Sequence, residues 1–273
     1  MQKPTTKLLT DAQIRTYLNR INYSGDAKLN FATLHALQKN HLQTIPYENL
    51  DIMRNIPLSL RLDDMYNKII IGSRGGYCFE LNGLFSALLK SMGFAVVEYM
   101  ARFLRDEKEI PMRRHRVLHI TCADGEFLCD VGVGGVIPRK PLPLEVGKIT
   151  SDGAGGNERY KLEKEDLLGW VLYEQRGEWL SAKPQNPDWR KLYSFTTEPQ
   201  LDIDYEMPSF YCEKHPESFF RTMDMVHVFT DTGRKSVAGR EVRIFSPGGV
   251  EVVTAATDGA YAELLKIHFN IKL

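Results

Sequence analysis

The chain has 273 residues, of which 43% are hydrophobic and 26% charged. This composition is that of an ordinary globular protein and excludes the collagen-like and disordered classes. Lysine plus arginine (35) equals aspartate plus glutamate (35), and this balance argues against a nucleic-acid binder that depends on phosphate neutralisation.

The first 92 residues are predicted to be helical. Capping residues open the first two helices at Thr10 and Asn30, and a third helix is predicted near 63–71. The clearest helix follows Cys78 and is stopped by a glycine. Its apolar residues recur at steps of three and four, which indicates a core-facing stripe: Leu81, Leu84, Phe85, Leu88, Leu89 and Met92.

From residue 94 to about 182 the hydrophobic period changes to two, which is typical of strands. Turn residues separate the runs, and this pattern predicts a small barrel. The runs are 94–103, 116–122, 127–131, 168–174 and 178–182. The stretch 183–211 is rich in proline, asparagine and aspartate and is predicted to be a connector. More strands and a last helix are predicted beyond it, over 223–230, 240–245, 250–253 and 259–268.

The four cysteines form no C-x-x-C pair and no disulfide framework. Free thiols, a polar N-terminal segment and the lack of an apolar run of roughly 18 residues predict a cytoplasmic protein without a membrane span. Three of the thiols are interpreted as packing residues: Cys122, Cys129 and Cys212. A metal site is not expected, because His115, His119 and Cys122 lack the second closely spaced pair of ligands that zinc sites use.

The chemistry concentrates in the segment R-G-G-Y-C-F-E-L-N at residues 74–82. Cys78 is predicted in the first turn of its helix, where free N–H groups and the helix dipole favour a thiolate and lower its pKa. The same N–H groups are suited to stabilise an oxyanion. Glu80 lies about 200° around the helix from Cys78, so it is not expected to take the thiol proton. Asn82 lies one turn on, on the face of the nucleophile.

A cysteine nucleophile needs a base, and the base needs an acid that orients it. Residues 114–132 are predicted to form a hairpin with two candidate bases, His115 and His119, on one strand face. A tight turn centred on residues 124 and 125 would place Asp130 opposite His119. A register two residues away would bring Asp130 nearer His115. The hairpin pattern by itself leaves both histidines open.

Four segments together resemble the arylamine N-acetyltransferases: residues 74–82, H-R-V-L at 115–118, D-V-G-V-G at 130–134 and P-Y-E-N-L at 46–50. His115 follows Cys78 by 37 residues and Asp130 follows His115 by 15, close to the family's spacing between its catalytic Cys, His and Asp. The resemblance covers nearly the whole chain. It selects His115 over His119, because the family has an apolar or amide residue at the position of His119.

The resemblance implies an α+β fold with a cysteine-protease-like Cys-His-Asp core. Residues 1–92 would form a helical domain that carries the cysteine, 93–190 a β-barrel that carries the histidine and the aspartate, and 191–273 a connector with an α/β lid. It also implies ping-pong transfer from acetyl-CoA, through a thioester on cysteine, to an arylamine, hydrazine or hydroxylamine. Acetyl-CoA would be a co-substrate, and no metal, nucleic acid or membrane is expected.

The resemblance also assigns supporting residues. Arg74 and Glu48 would brace each other. The helix spacing, and not the resemblance, gives Asn82 its expected role as a support that orients loop backbone on the face of Cys78. Gly132, Gly134 and Gly135 would let the backbone approach coenzyme A, although G-V-G-G after a strand is by itself only a turn signal. Tyr47 and Val133 stand where many relatives carry phenylalanine. Both are expected near the acceptor pocket, so they leave the acceptor preference open.

Two other enzyme classes fit the same order of residues. A thiol hydrolase of the papain or transglutaminase kind also uses Cys, His and Asp in that order. An amide synthase of the same fold would use a tethered acyl chain in place of acetyl-CoA. The acyl donor distinguishes these alternatives from an acetyltransferase.

Overall fold

The structure is a computed structural model that describes residues 7–135, 137–151, 158–175 and 188–273. Five α-helices occupy its N-terminal part, and the capping side chains of Thr10 and Asn30 accept hydrogen bonds from backbone N–H groups as predicted. The predicted third helix is an α-helix continued by a π-helical turn, Asn67–Ile71. The α-helices are α1 Asp11–Arg20, α2 Phe31–Thr44, α3 Leu50–Met53, α4 Leu62–Tyr66 and α5 Cys78–Ser91.

Helix α5 lies in the centre of the largest hydrophobic core. Twelve of its fourteen residues are buried, among them the polar side chains of Glu80 and Asn82. The predicted apolar stripe is confirmed as core. Gly93 has φ +99° just after the helix, in the left-handed region that lets a glycine end a helix.

Among the described residues, eight antiparallel strands form the second part, in the order β5-β4-β3-β2-β9-β8-β7-β6. An isolated bridge between Val146 and Leu162 joins the segment after β5 to β7, so the sheet curls into a nearly closed barrel. The strands are β2 Ala95–Phe103, β3 His115–Cys122, β4 Gly125–Cys129, β5 Leu142–Pro143, β6 Thr150–Ser151, β7 Arg159–Glu165, β8 Gly169–Gln175 and β9 Arg190–Phe195.

The third part is a five-stranded antiparallel sheet with helices. Its first strand, β1 (Tyr47–Glu48), comes from the helical part of the chain and pairs with β10. Val226, Val237 and Leu265 are fully or almost fully buried between the sheet and α7. The remaining elements are α6 Glu206–Lys214, β10 Met225–Phe229, β11 Arg234–Ala238, β12 Glu241–Ser246, β13 Gly249–Thr254 and α7 Asp258–Phe269.

The predicted α+β fold of helices, barrel and α/β part is confirmed, but the predicted connector over 183–211 is wrong where the structure describes it. Strand β9 lies between β2 and β8 in the barrel sheet, and α6 follows. The predicted run 178–182 lies outside the described residues. The three domain ranges stay a prediction. No helix among the described residues is long and apolar enough to cross a membrane.

Candidate active site

Cys78 is the first residue of α5 and is 3% exposed. Its Sγ lies 3.8 Å from the carbonyl oxygen of Arg114, so the residue before His115 abuts the thiol. The N–H of Tyr77 donates to Glu80 Oε2 at 3.1 Å. The Glu80 carboxylate therefore caps the start of the helix, which is the role expected of an acid in the first turn.

His115, at the start of β3, and Asp130, just after the end of β4, form a buried pair. His115 Nε2 lies 2.6 Å from Asp130 Oδ2, and each side chain is only 4% exposed. The other carboxylate oxygen, Oδ1, accepts from Asn82 Nδ2 and from the N–H of Gly132, both at 2.8 Å. Because Asp130 engages Nε2, Nδ1 is the ring nitrogen of His115 left for another partner.

The observed register of the β3–β4 hairpin differs from the one that would place Asp130 opposite His119. His119 pairs with Leu128 and not with Asp130, so the predicted pairing is wrong by two residues. The two turn residues are 123 and 124, one position before the predicted 124 and 125, because Cys122 pairs with Gly125. The turn also makes a tertiary contact, since the Asp124 carboxylate accepts from the N–H of Phe31 at 2.6 Å, at the start of α2. The carboxylate thus caps a helix that the local hairpin pattern does not contain.

His119 has other partners inside the barrel. Its Nδ1 lies 3.0 Å from the hydroxyl oxygen of Tyr99, and its Nε2 lies 3.6 Å from Glu126 Oε2. Burial lowers the pKa of His119, although Glu126 opposes the shift. The structure therefore brings His115 to Asp130 and leaves His119 apart from it.

Asn82 connects the three segments that meet at the site. Its Nδ2 donates to the Arg116 carbonyl at 2.6 Å and to Asp130, and its Oδ1 accepts from the N–H of Val131 at 2.9 Å. The side chain is fully buried. A buried amide with its hydrogen bonds satisfied fixes the relative position of α5, β3 and the loop after β4.

The surroundings of Cys78 change the expectation for its pKa. Burial raises the pKa of the Cys78 thiol well above its ordinary range, the nearby Cys212 and Asp130 raise it further, and the N–H of Phe79 lowers it in part. The sequence predicts a pKa lowered by the helix N-terminus, and that prediction is wrong for the isolated thiol because burial outweighs the dipole. A thiolate here needs a partner that takes the proton.

Gly132 packs directly against Cys78. An ideal Cβ at this position would lie 2.8 Å from Cys78 Cα, 3.0 Å from Cys78 O and 2.7 Å from Asn82 Nδ2. A glycine is thus needed here for close packing, whatever its part in binding coenzyme A.

We expect Gly132→Ala to lower the free energy of unfolding by about 1–3 kcal/mol, because the new methyl group meets backbone atoms that cannot move aside. Gly259→Ala is the matched control, since a Cβ at Gly259 meets nothing within 4 Å. Alanine in this helical position is expected to be neutral or stabilising by at most about 1 kcal/mol. Urea denaturation of both variants measures the difference, and equal stabilities would contradict the packing role.

The loop that follows Gly132 lies against the third part of the chain. Gly134 and Gly135 have φ +67° and +82°, a region that favours glycine. Tyr47 and His227 pair in register between β1 and β10, and their rings border this loop. Val133 packs against both the helical core and the barrel core. The residues predicted to contact the acceptor and those predicted to bind coenzyme A therefore lie together, while their binding roles stay predictions.

The predicted contact of Arg74 with Glu48 is present and belongs to a larger network. Arg74 Nε and Nη2 donate to the two Glu48 oxygens at 2.9 and 3.0 Å, and Nη2 also reaches Asp51 at 2.8 Å. Lys68 Nζ lies 2.8 Å from both Asp51 and Glu80. These ion pairs brace the loop that leads into Cys78.

Removing the arginine from this network should be costly. We expect Arg74→Met to lower the free energy of unfolding by about 3 kcal/mol, because it leaves the buried Glu48 carboxylate without its cation. The control is Lys266→Met, which breaks an exposed pair with Glu263 and should cost less than about 1 kcal/mol. Denaturant titration at neutral pH compares the two, and a small loss in Arg74→Met would contradict a bracing role.

The same network predicts a loss of stability in acid. Burial opposes the ionisation of Asp51, but Lys68 and Arg74 outweigh it and hold its pKa below the ordinary value. This carboxylate therefore contributes stability above the unfolded-state pKa of about 4, and the contribution is lost as the pH falls through the lower folded-state pKa. Asp51→Asn should flatten the fall in denaturation midpoint below about pH 4.

Sequence reasoning missed several residues around the cysteine. Lys68 and Asp51 complete the charge network, and Ser209 on α6 bonds the buried hydroxyl of Tyr77. Tyr193 on β9 contacts the His115 ring, with centroids 5.4 Å apart. No local motif marks these residues, because they come from distant parts of the chain. Among the described residues, no group of three His, Cys, Asp or Glu side chains is placed to hold a metal ion.

Comparisons with known proteins agree with this geometry. An N-acetyltransferase family model matches residues 30–273. The arylamine N-acetyltransferase of Mycolicibacterium smegmatis is 34% identical over 263 residues, covering 94% of this chain and 91% of the relative. The solved arylamine N-acetyltransferase from Salmonella typhimurium superposes with a TM-score of 0.87 at 26% identity, over 96% of this chain and 92% of that one.

A third comparison is the Mycobacterium marinum arylamine N-acetyltransferase, solved in complex with CoA. It superposes with a TM-score of 0.83 at 30% identity, over 94% of this chain and 92% of that one. The match extends through the helical, barrel and C-terminal parts, so it includes every segment that surrounds Cys78. With a family model over most of its length and relatives of this similarity, the chain belongs to the arylamine N-acetyltransferase family.

Proposed function

We propose that the chain transfers an acetyl group from acetyl-CoA to an arylamine, hydrazine or arylhydroxylamine, through a thioester on Cys78. The observation that carries the proposal is a buried cysteine at a helix start whose neighbouring strand presents a histidine 2.6 Å from a buried aspartate. This is the combination of nucleophile, base and orienting acid that acyl transfer through a covalent intermediate requires.

In the first half-reaction His115 takes the thiol proton at Nδ1, since Asp130 holds Nε2. The Cys78 sulfur attacks the acetyl carbonyl carbon of the donor, and the new bond from sulfur to carbon replaces the bond to the coenzyme sulfur. The imidazolium returns its proton to the departing thiolate. Backbone N–H groups in the first turn of α5, including that of Phe79, would stabilise the oxyanion that forms on the way.

In the second half-reaction the acceptor nitrogen attacks the thioester carbon. A bond from nitrogen to carbon forms, the bond from Cys78 sulfur to carbon breaks, and His115 carries the proton from nitrogen to sulfur. Asp130 stabilises the imidazolium that exists during both transfers. Asn82 and the N–H of Gly132 hold the carboxylate in place for this task.

Coenzyme A is the proposed donor carrier because a relative of this fold was solved in complex with it. We propose that it approaches Gly134 and Gly135, which follow Gly132 in the same loop; Gly134 lies beside Tyr47 and Gly135 beside His227. Tyr47 and Val133 are the proposed contacts for the acceptor. Gly132 would serve this site chiefly through its packing on the nucleophile.

Incubation with acetyl-CoA alone tests the donor. The expected result is one acetyl group on the protein by intact mass, released when an arylamine is added, and parallel lines in double-reciprocal rate plots. A thiol hydrolase would instead cleave amides or esters without accumulating the acetyl-protein. An amide synthase would ignore acetyl-CoA and accept a tethered acyl chain. Either outcome would overturn the proposal.

We further propose a cytoplasmic location, with small molecules and not nucleic acids as partners. The described cysteines are all free thiols, the state that a reducing compartment maintains. The formal net charge of zero supplies no general attraction for nucleic acid.

A further inference from the structure

Arg116 carries a buried guanidinium that the proposed reaction does not use. Its side chain is 3% exposed, and it directly follows His115 on β3. Successive residues of a strand point to opposite faces. Val117 belongs to the barrel core, whereas Leu118 belongs to the core around α5. The Arg116 side chain therefore points toward α5, on the opposite face of the strand from His115.

Residue 116 contacts two consecutive residues of α5. Its carbonyl oxygen accepts from Asn82 Nδ2 at 2.6 Å, and its guanidinium packs against Gly83. An ideal Cβ at Gly83 would lie 2.7 Å from Arg116 Nη1 and 3.3 Å from Cζ, so the guanidinium occupies the space that a larger residue would need. Asn82 also donates to Asp130, the partner of His115. The attachment of β3 to α5 thus lies beside the buried histidine and aspartate.

Two carboxylates and an aromatic ring hold the guanidinium in place. Arg116 Nη2 contacts Glu98 on β2 and lies 2.9 Å from Asp202 Oδ1. The guanidinium carbon lies 4.2 Å from the centroid of the Tyr205 ring. Glu98 in turn accepts from Lys90 Nζ at 2.6 Å, in the last turn of α5. Arginine suits these contacts because its guanidinium is planar, has several donors and stacks on aromatic rings.

These contacts fix β3 on α5 directly behind His115. Desolvation offsets much of the stability that a buried ion pair could supply, whereas a proton-transferring group must be held within about 0.5 Å of its productive position. We propose that Arg116 is a positioning residue, which holds the His115 imidazole in reach of Cys78 by fixing the strand on the helix. This role rests on the proposed function, in which His115 is the base.

Single-turnover acetylation of Cys78 tests this role. Arg116→Met keeps the length of the side chain and removes its charge and donors. It should lower the maximal rate of acetyl-protein formation by about 10–100-fold, since a displacement of about 1 Å can cost 10²-fold. The acetyl-CoA concentration that gives half the maximal rate should not change. Lys90→Met is the matched control, because it removes another cation bound to Glu98 at the far end of α5, and it should keep the rate.

A second variant covers the case in which Arg116→Met does not fold. Arg116→Lys keeps a positive charge beside Glu98, but an ammonium group cannot reproduce the planar fork of donors that reaches Glu98 and Asp202. It should lower the acetylation rate by about threefold to tenfold, less than Arg116→Met. Urea denaturation of each variant shows whether the folded fraction accounts for any loss.

Alkylation of Cys78 by iodoacetamide gives a readout that lost stability alone would not move. When His115 is displaced, the buried thiol must ionise alone, so the alkylation rate in the Arg116 variants should rise about tenfold for each pH unit from pH 7. The unmodified chain and Lys90→Met should depend less steeply on pH. Peptide mass analysis measures the product at Cys78.

Unchanged rates and pH profiles in a folded Arg116 variant, or the same changes in Lys90→Met, would overturn the positioning role. The alkylation needs no acetyl-CoA, so it distinguishes this role from the proposed function. An unmodified chain that forms no acetyl-protein would overturn the proposed function, while the pH profiles of alkylation would still decide whether Arg116 positions His115.

Discussion

Replacing Cys78 by alanine is expected to abolish the acetyl-protein and to lower kcat by at least about 10⁴-fold, because the proposed covalent intermediate is a thioester on this sulfur. The thiol is 3% exposed at the start of α5, so a methyl group fits without disturbing the helix. Intact mass after incubation with acetyl-CoA measures the adduct, and steady-state rates with an arylamine measure turnover.

The other cysteines supply the control for this experiment. Cys122 lies at the end of β3, is partly exposed, and has a free thiol. Cys122→Ala should therefore keep the adduct and the rate. Retention of an acetyl group in Cys78→Ala, or turnover in that variant close to that of the unmodified chain, would show that acyl transfer does not pass through Cys78.

Replacing His115 by glutamine is expected to lower the rate of acetyl-protein formation by about 10³-fold at neutral pH. General-base catalysis contributes about 10²–10⁴-fold, and in this site the base has an additional task. Burial raises the pKa of the Cys78 thiol well above its ordinary range, with Cys212 and Asp130 adding to the rise. Without the imidazole, the thiol must ionise alone in an environment that disfavours the charge.

The sign of the pH dependence follows from that raised pKa. In His115→Gln the small thiolate fraction should increase tenfold for each pH unit as the pH rises toward the thiol pKa. The residual acylation rate should therefore climb steadily into the alkaline range. In the proposed mechanism His115 accepts the proton in the unmodified chain, so the rate at neutral pH should not depend on an isolated thiolate. Quenched-flow mass measurements between neutral and alkaline pH test both expectations.

His119→Gln is the matched control, because it makes the same change on the same face of the same strand. His119 bonds to Tyr99 inside the barrel and does not contact Asp130, so this variant should keep most of the acylation rate. Loss of acylation in His119→Gln with retention in His115→Gln would overturn the assignment of the base.

The comparison of these histidines also shows where sequence reasoning stops. Strand alternation predicts that His115 and His119 share a face, but it cannot fix the hairpin register. The turn of this hairpin also makes a contact that no local pattern contains, since the Asp124 carboxylate accepts a hydrogen bond from the N–H of Phe31, 93 residues earlier in the chain. Among the sequence observations, only the resemblance to a family distinguishes His115 from His119.

The pKa of the Cys78 thiol is a second property that the local sequence motif does not determine. The sequence places Cys78 at a helix start, and that position by itself favours a thiolate. How deeply the sulfur is buried depends on packing with α6 and with the loop after β4, neither of which is near it in the chain. Because burial penalises a charge more strongly than one helix terminus stabilises it, the direction of the shift could not be obtained from the local motif.

Local patterns by themselves determined the helix starts at Thr10 and Asn30, the buried stripe of α5 and most of the strands, because capping and hydrophobic period act over a few residues. Tertiary structure alone decided that β9 enters the barrel sheet, that Asp130 meets His115, and that Lys68 and Asp51 join the charges around Arg74. Each of these depends on contacts between distant segments, whose geometry is fixed only when the whole chain packs.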